Sequence, residues 1–242
     1  MQCEKQTQSD RQMRYERQRI LPEIGEDGLM KLRSAKVLIA GVGGLGSPIA
    51  LYLAGAGVGC IGLIDDDVVS LTNLQRQVLY TEDDLGQLKA VCAARRLAAL
   101  NSDIRLTAYP ERLTAENARR LVADYDLVVD GCDNFDTRYL INDVCIELGK
   151  PYVYGAIGGF EGQVSVFNYG KEKKSYRDLY PDEAGMRLLP PASKGVMGIT
   201  PAVVGSMEAT EVLKVICGFG DILSGKLWTI DLRTAQSNIF SL

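Results

Sequence analysis

The sequence predicts an α/β domain: a doubly wound, mostly parallel sheet with helices on both faces and an antiparallel extension at the C-terminal end. Three observations carry this. Apolar runs of strand length alternate with helix-like segments from residue 36 to residue 168. The first of these units holds the glycine-rich turn Gly41-Val42-Gly43-Gly44-Leu45-Gly46 between a strand and a helix of small residues. The last 17 residues, 226–242, read as a terminal hairpin with Trp228 and Phe240 in the core.

The elements follow in order. Residues 1–10 read as a disordered lead-in, and 11–242 as one domain. Its first part, 11–34, is a helical segment in which residues 25–34 form a helix with Leu29, Met30 and Leu32 available for packing. The core, 35–168, begins with a buried strand at 36–40, the glycine turn, and a helix to about Gly57. A second buried strand at 60–64 ends in Asp65, Asp66 and Asp67. Strand, glycine turn, helix, strand and acid make a Rossmann-like nucleotide-binding unit. Glycines let the backbone approach a phosphate, and the helix start offers unpaired N–H groups to it. An acid about 20 residues on can accept hydrogen bonds from ribose hydroxyls. This pattern alone does not separate NAD, FAD, SAM and ATP.

After a polar turn at 70–77, an amphipathic helix is predicted at 85–100, its turns marked by Leu88, Val91, Cys92, Arg95 and Ala99. A strand at 104–109 follows, then a helix at 114–123 capped by Thr114. The buried strand at 126–130 leads into Gly131-Cys132-Asp133-Asn134 and a helix to about Leu148, with further strands at 152–156 and 162–168. Residues 169–199 read as a long crossover loop, and 200–242 as a helix (205–216) and the hairpin. Ligands of such sheets bind beyond the carboxyl ends of the strands, where Gly44, Asp65, Asp133 and Asn134 all fall.

Composition narrows the chemistry. A formal charge of −4 does not favour a nucleic-acid partner. No apolar run is long enough to cross a bilayer, and the first fifteen residues lack the apolar core of a secretory signal, so a cytoplasmic location is the expectation. The six cysteines form no CxxC pair. There is no histidine, which excludes Ser-His-Asp and Cys-His catalysis. The chemistry must run on carboxylates, Lys, Arg, an oxygen-bound metal or the substrate itself.

These residues resemble the ThiF/MoeB/HesA family of sulfur-carrier adenylyltransferases, relatives of the ubiquitin-activating enzymes. The resemblance spans residues 14–242. It rests on RYERQ at 14–18, GVGGLGSP at 41–48, LYLAGAGVG at 51–59, IDDD at 64–67 and SLTNLQRQ at 70–77. Lys89, DGCDN at 130–134 and GVM at 195–197 complete it. It implies ATP- and Mg²⁺-dependent adenylation of the C-terminal carboxylate of a ubiquitin-like carrier ending in Gly-Gly. Pyrophosphate leaves, and sulfur transfer for thiamine, molybdopterin or related biosynthesis follows. The attacking carboxylate is already ionised at neutral pH, so no histidine base is needed.

The resemblance also implies residue roles. Gly44 backs the phosphates and Asp65 holds the ribose. Asn73, Arg76 and Lys89 contact the triphosphate. Asp133 binds Mg²⁺ with Asn134 beside it, and Arg17 reaches into the partner's site across a homodimer. Gly41, Gly43, Gly46, Asp67, Thr72 and Gln75 complete the nucleotide-binding set. Arg17, Arg76, Lys89 and Asp133 are the catalytic candidates. The paired Arg76 and Lys89 favour a triphosphate over the dinucleotide of an NAD-dependent enzyme, and the four together argue against a non-catalytic scaffold.

Two departures stand out. Many members hold a structural zinc on two CxxC pairs, the first in a CYRC-like segment. Here that segment reads Ser175-Tyr176-Arg177-Asp178, so no zinc site is expected and the loop 169–199 must be held by packing or be mobile. Leu88 stands where proline is usual, which predicts a longer or looser helix start before Lys89.

Overall fold

The computed structural model describes residues 13–188 and 195–242. The expectation of disorder at 1–10, Cys3, and the stretch 189–194 of the crossover loop lie outside these residues. One eight-stranded sheet runs in the order β3-β2-β1-β4-β5-β6-β7-β8. Its strands are β1 (Lys36–Ala40), β2 (Cys60–Ile64), β3 (Arg105–Tyr109), β4 (Leu127–Asp130), β5 (Tyr152–Gly158), β6 (Glu161–Phe167), β7 (Lys226–Asp231) and β8 (Gln236–Ser241). The first five pair in parallel, and β5 to β8 pair antiparallel. This is the doubly wound sheet with an antiparallel extension that the sequence predicts.

Among the described residues the helices are α1 (Glu16–Arg19), α2 (Gly25–Ser34), α3 (Gly46–Ala56), α4 (Lys89–Leu100), α5 (Ala118–Ala123), α6 (Phe135–Leu148), α7 (Tyr176–Leu179), α8 (Glu183–Leu188) and α9 (Ile199–Cys217). The central strands are covered on both faces, which is why they read as unbroken apolar runs. Successive side chains on a strand point to opposite faces. Val37 and Ile39 therefore join Ile49, Leu53, Cys92 and Val212 on one side. Leu38 and Ala40 join Leu121, Val128, Ile141 and Cys145 on the other. Burying one such Leu or Ile fully contributes about 1.5–3 kcal/mol.

The chain steps outward from β1 to β2 to β3, then returns to place β4 on the other side of β1. The loops after β1 and β4 therefore face each other across the point where the strand order reverses, the usual ligand crevice of an open α/β sheet.

Several predicted elements shift, each for a local reason. The helix predicted at 85–100 starts at Lys89. Residues 86–88 are spent on extended pairing instead: the Val69 amide donates to the Gln87 carbonyl, the Gly86 amide to the Val69 carbonyl, and Leu88 bridges Val68. Leu88 sits at φ −63°, ψ 126°. That φ is the one proline imposes, so leucine there neither lengthens nor loosens the helix. Val91 faces solvent, and the buried stripe is Ala90, Cys92, Ala93 and Leu97.

Thr114 does not cap α5. It opens a turn in which its N–H donates to Asn117 Oδ1 at 2.8 Å, and the helix begins at Ala118. Helix α9 starts at Ile199, six residues before the predicted start, with Pro201 in its first turn, where its missing N–H costs nothing. Met30 and Phe240 are exposed, and β8 shows all six residues to solvent. Trp228 is partly buried against the core. Of the described cysteines, Cys60, Cys92, Cys145 and Cys217 are buried and Cys132 is half-buried; all five are free thiols. No described helix is long and apolar enough to cross a membrane.

The described part of the crossover segment before residue 189 is partly helical and held by packing. Ser175 and Asp178 form a capping box at the start of α7: Ser175 Oγ and N–H donate to Asp178 Oδ2 at 2.7 and 2.8 Å. Tyr176 is fully buried among Tyr139, Tyr154, Phe167 and Tyr180, at ring separations of 5.0–6.1 Å. Arg177 pairs with Asp143 at 2.6 Å and Glu183 at 2.8 Å. A hydroxyl and a carboxylate bonded to each other are not the thiolate set a structural zinc takes, so these residues do not fit that metal.

Candidate nucleotide site

The loop after β1 is built on backbone contact. Gly41 has φ +90°, and a Cβ there would lie 2.6 Å from the Gly131 carbonyl oxygen; one on Gly131 would lie 2.1 Å from the Gly41 oxygen. Both loops need glycine because they touch. Gly46 is equally confined, with the Gly41 oxygen 2.1 Å from where its Cβ would be. Gly43 and Gly44 differ. Their N–H groups find no acceptor among the described residues, and they stand just before α3. That is the open donor set a phosphate takes at a helix N-terminus. Gly44 faces Pro201 and the Arg76 side chain, at 3.3 and 3.7 Å from a Cβ position.

Asp65 braces this loop. Its Oδ2 accepts the Val42 N–H at 2.8 Å and its Oδ1 the Asp67 N–H at 2.9 Å. Burial raises its pKa above the ordinary carboxylate range, while the two amides and Lys89 oppose the shift. Asp67 is exposed, and its Oδ2 meets Lys89 Nζ at 2.7 Å. Lys89 itself is only 5% exposed, so its ammonium is held at the edge of the crevice.

The turn Leu71–Asn73 is a short 3₁₀ helix closed by a Ser70–Asn73 capping box, the Ser70 N–H donating to Asn73 Oδ1 at 3.2 Å. Arg76 Nη1 donates to the Thr72 carbonyl at 3.1 Å, which aims the guanidinium along the turn. Gln75 instead lays its backbone against Gly198, at the start of α9.

Asp133 follows β4. It is exposed and has no cationic partner among the described residues; its one side-chain neighbour is Asn134 Nδ2 at 3.5 Å. Asn134 Oδ1 caps α6 by accepting the Thr137 N–H at 2.9 Å. The chain thus brings Gly41–Gly46, Asp65, Asp67, Thr72, Asn73, Arg76, Lys89, Asp133 and Asn134 to the ends of three adjacent strands.

Arg17 is the exception. Its neighbours tie α1 to the far end of α3: Gln18 Nε2 donates to the Ala56 carbonyl at 3.1 Å, and Tyr15 packs on Gly57. The length of α3 separates that end from the glycine loop, about 16 Å at ~1.5 Å per residue. Arg17 is exposed there and makes no hydrogen bond among the described residues.

Three supporting residues escape a sequence reading. Tyr80 is buried, and its hydroxyl lies 2.7 Å from the Val42 carbonyl and 3.4 Å from that of Lys89, joining the glycine loop to the start of α4. Gln77 is buried beside Gly43, and its Oε1 has no hydrogen-bond partner among the described residues. Arg138 is buried on the inner face of α6 and pairs with Asp130 at 3.0 Å. Its signal is positional: a charge in register with Ile141, Asn142 and Cys145, at i+3, i+4 and i+7 on the apolar face.

The chain is 50% identical over 228 residues to the sulfur carrier protein adenylyltransferase of Thermus thermophilus, covering 92% of this chain and 84% of that one. It is 47% identical over 222 residues to a probable adenylyltransferase/sulfurtransferase MoeZ of Mycobacterium tuberculosis, covering 90% of this chain and 57% of that one. Among solved structures, E. coli MccB with AMPCPP and MccA superposes with a TM-score of 0.81 at 26% identity, over 94% of this chain and 71% of that one. MccB with ATP superposes with a TM-score of 0.78 at 27% identity, over 89% and 66%. A model of the ThiF family matches residues 15–242, and the chain belongs to that family.

Proposed function

We propose that this protein activates the C-terminal glycine carboxylate of a ubiquitin-like sulfur carrier with ATP, releasing pyrophosphate. The observation that carries this reading is the company of the glycine loop. Gly43 and Gly44 carry amides with no acceptor among the described residues, and Gly44 faces Arg76. Asp65 ties the same loop to Asp67 and through it to Lys89. Asp133, without a cationic partner among the described residues, follows the adjacent strand β4. Two cations and a free carboxylate suit a metal-bound triphosphate better than a dinucleotide.

The division of work follows from position. Gly43 and Gly44 would hold phosphate oxygens, and Asp65 would accept from the ribose while keeping its bonds to Val42 and Asp67. Arg76 and Lys89 would take up charge on the phosphates as it builds in the transition state. The carrier's carboxylate oxygen bonds to the α-phosphorus, the bond from that phosphorus to the bridging oxygen breaks, and pyrophosphate leaves with the electron pair. Asp133 fits a hard cation: an exposed carboxylate with no competing positive partner among the described residues. Mg²⁺ bound there would supply positive charge against the phosphate oxygens. Arg17, too far from its own chain's crevice, would serve the site of a second copy in a homodimer.

ATP–pyrophosphate exchange tests the reading. Exchange that depends on a small protein ending in Gly-Gly, and that Lys89→Ala lowers about 10²–10³-fold, is the expected result. No exchange with any such carrier would exclude it.

A further inference from the structure

Among the described residues the proposed metal ligand, Asp133, has a single long side-chain hydrogen bond, so its position is set through the backbone on either side of it. The residue before it is gripped at both backbone groups. The Cys132 N–H donates to Asp130 Oδ1 at 2.8 Å, and the Cys132 carbonyl accepts from Arg138 Nη2 at 2.8 Å. The two gripping side chains are bonded to each other, Arg138 Nε to Asp130 Oδ2 at 3.0 Å. Tyr152 Oη donates to the same Asp130 oxygen at 2.8 Å. Arg138 Nη2 also reaches the Gly155 carbonyl of β5 at 3.3 Å, and its guanidinium lies 5.5 Å from the centre of the Tyr154 ring. Asp130 is fully buried and Arg138 is 7% exposed.

This clamp also reaches the phosphate side of the crevice. The Gly131 N–H donates to the Ala40 carbonyl at 2.7 Å, and Cys132 Sγ lies 3.0 Å from that oxygen. Ala40 is the residue before Gly41. The clamp therefore fixes the spacing between the glycine loop and Asp133.

We propose that Arg138 is a positioning residue for the metal: through Asp130 and the Cys132 carbonyl it sets where the Asp133 carboxylate stands relative to the bound phosphates. This rests on Asp133 holding Mg²⁺, as argued above. A planar guanidinium is needed because three acceptors in different directions, Asp130 on β4, the Cys132 carbonyl in the loop after it and the Gly155 carbonyl on β5, are met by one group. Lysine keeps the charge and cannot span them.

The test uses the full-length protein and reads metal binding apart from turnover. Mn²⁺ binding is followed by electron paramagnetic resonance in the presence of a non-hydrolysable ATP analogue, and nucleotide binding is measured by calorimetry with and without Mg²⁺. Arg138→Lys is expected to weaken Mn²⁺ binding about 10–100-fold, the range for residues that orient a metal ligand. Nucleotide binding without metal is expected to stay within about twofold. Tyr152→Phe keeps the ring and removes one bond to Asp130, so a smaller shift in the same direction is expected even if Arg138→Lys fails to fold. Equal losses of nucleotide binding with and without metal, or Mn²⁺ binding unchanged in both variants, would overturn the proposal. A wild-type protein in which Mn²⁺ does not bind, or binds undiminished in Asp133→Ala, would instead overturn the assignment of Asp133.

Discussion

The loops that leave β2 and β4 use their acids in parallel ways and end differently. In each, the first aspartate turns back to hold amides: Asp65 accepts from Val42 and Asp67, and Asp130 accepts from Cys132. In each, an aspartate two or three residues on faces outward. Asp67 already has a cation, Lys89 at 2.7 Å. Asp133 has none among the described residues. The β2 side of the crevice therefore carries a cation, Lys89 at the start of α4, held by the loop's carboxylate, and the β4 side carries a carboxylate with no cation among the described residues. Complementary charges on the two sides are what a metal–phosphate ligand needs, and the inner acids make the framework that keeps them apart.

Breaking the framework should have the largest effect on stability. Asp130→Ala leaves the buried Arg138 guanidinium without its carboxylate, and the loss of an ion-pair partner in the interior costs about 3–5 kcal/mol. Urea denaturation should show it as a lowered midpoint; an unchanged midpoint would mean that Asp130 is not structural. Asp133→Ala should do the reverse. Exchange activity falls about 10²–10³-fold and the melting temperature stays where it was, because among the described residues Asp133 has no ion pair and one long hydrogen bond to lose. A large drop in melting temperature would erase the distinction between the two aspartates.

A third acid sharpens the comparison. Glu208 on α9 is fully buried against Gly155, and neither carboxyl oxygen has a hydrogen-bond partner among the described residues. Burial pushes its pKa well above the ordinary glutamate range, with Asp130 adding to the shift and Arg138 opposing it. A folded-state pKa above the unfolded one means stability is fully present below the unfolded value and is lost as pH rises through the folded value. Glu208→Gln does not titrate. Its melting temperature should therefore gain on wild type as pH rises from about 5 to about 8. Parallel melting curves across that range would show that Glu208 carries no such penalty.

What the sequence makes legible follows from what is local. The glycine turn, the buried strands and the aspartates at their ends are visible because each is set by a short run of residues. The start of α4 is not, because residues 86–88 are drawn into pairing with Val68 and Val69, seventeen or more positions earlier. The same holds for α5, where the Asn117 rather than the Thr114 side chain supplies the turn's side-chain acceptor. Tyr80 and Gln77 look like ordinary members of a polar-to-apolar turn, and only the fold puts them beneath Val42 and Gly43. Arg138 carries a readable signal, a charge on the apolar face of a helix, yet its partner Asp130 can be assigned only once β4 is placed beside α6. The capping box at Ser175 and Asp178 is likewise a local pattern, and it accounts for a helix inside a stretch whose composition reads as loop.

The most direct test of the central claim is intact-mass analysis of a Gly-Gly-ended carrier incubated with this protein, ATP and Mg²⁺. The account predicts a product heavier by one adenylate, formed only when the carrier's terminal carboxylate is free and absent with Asp133→Ala. Adenylation of a carrier whose C-terminus is amidated, or no adenylate on any such carrier, would contradict it.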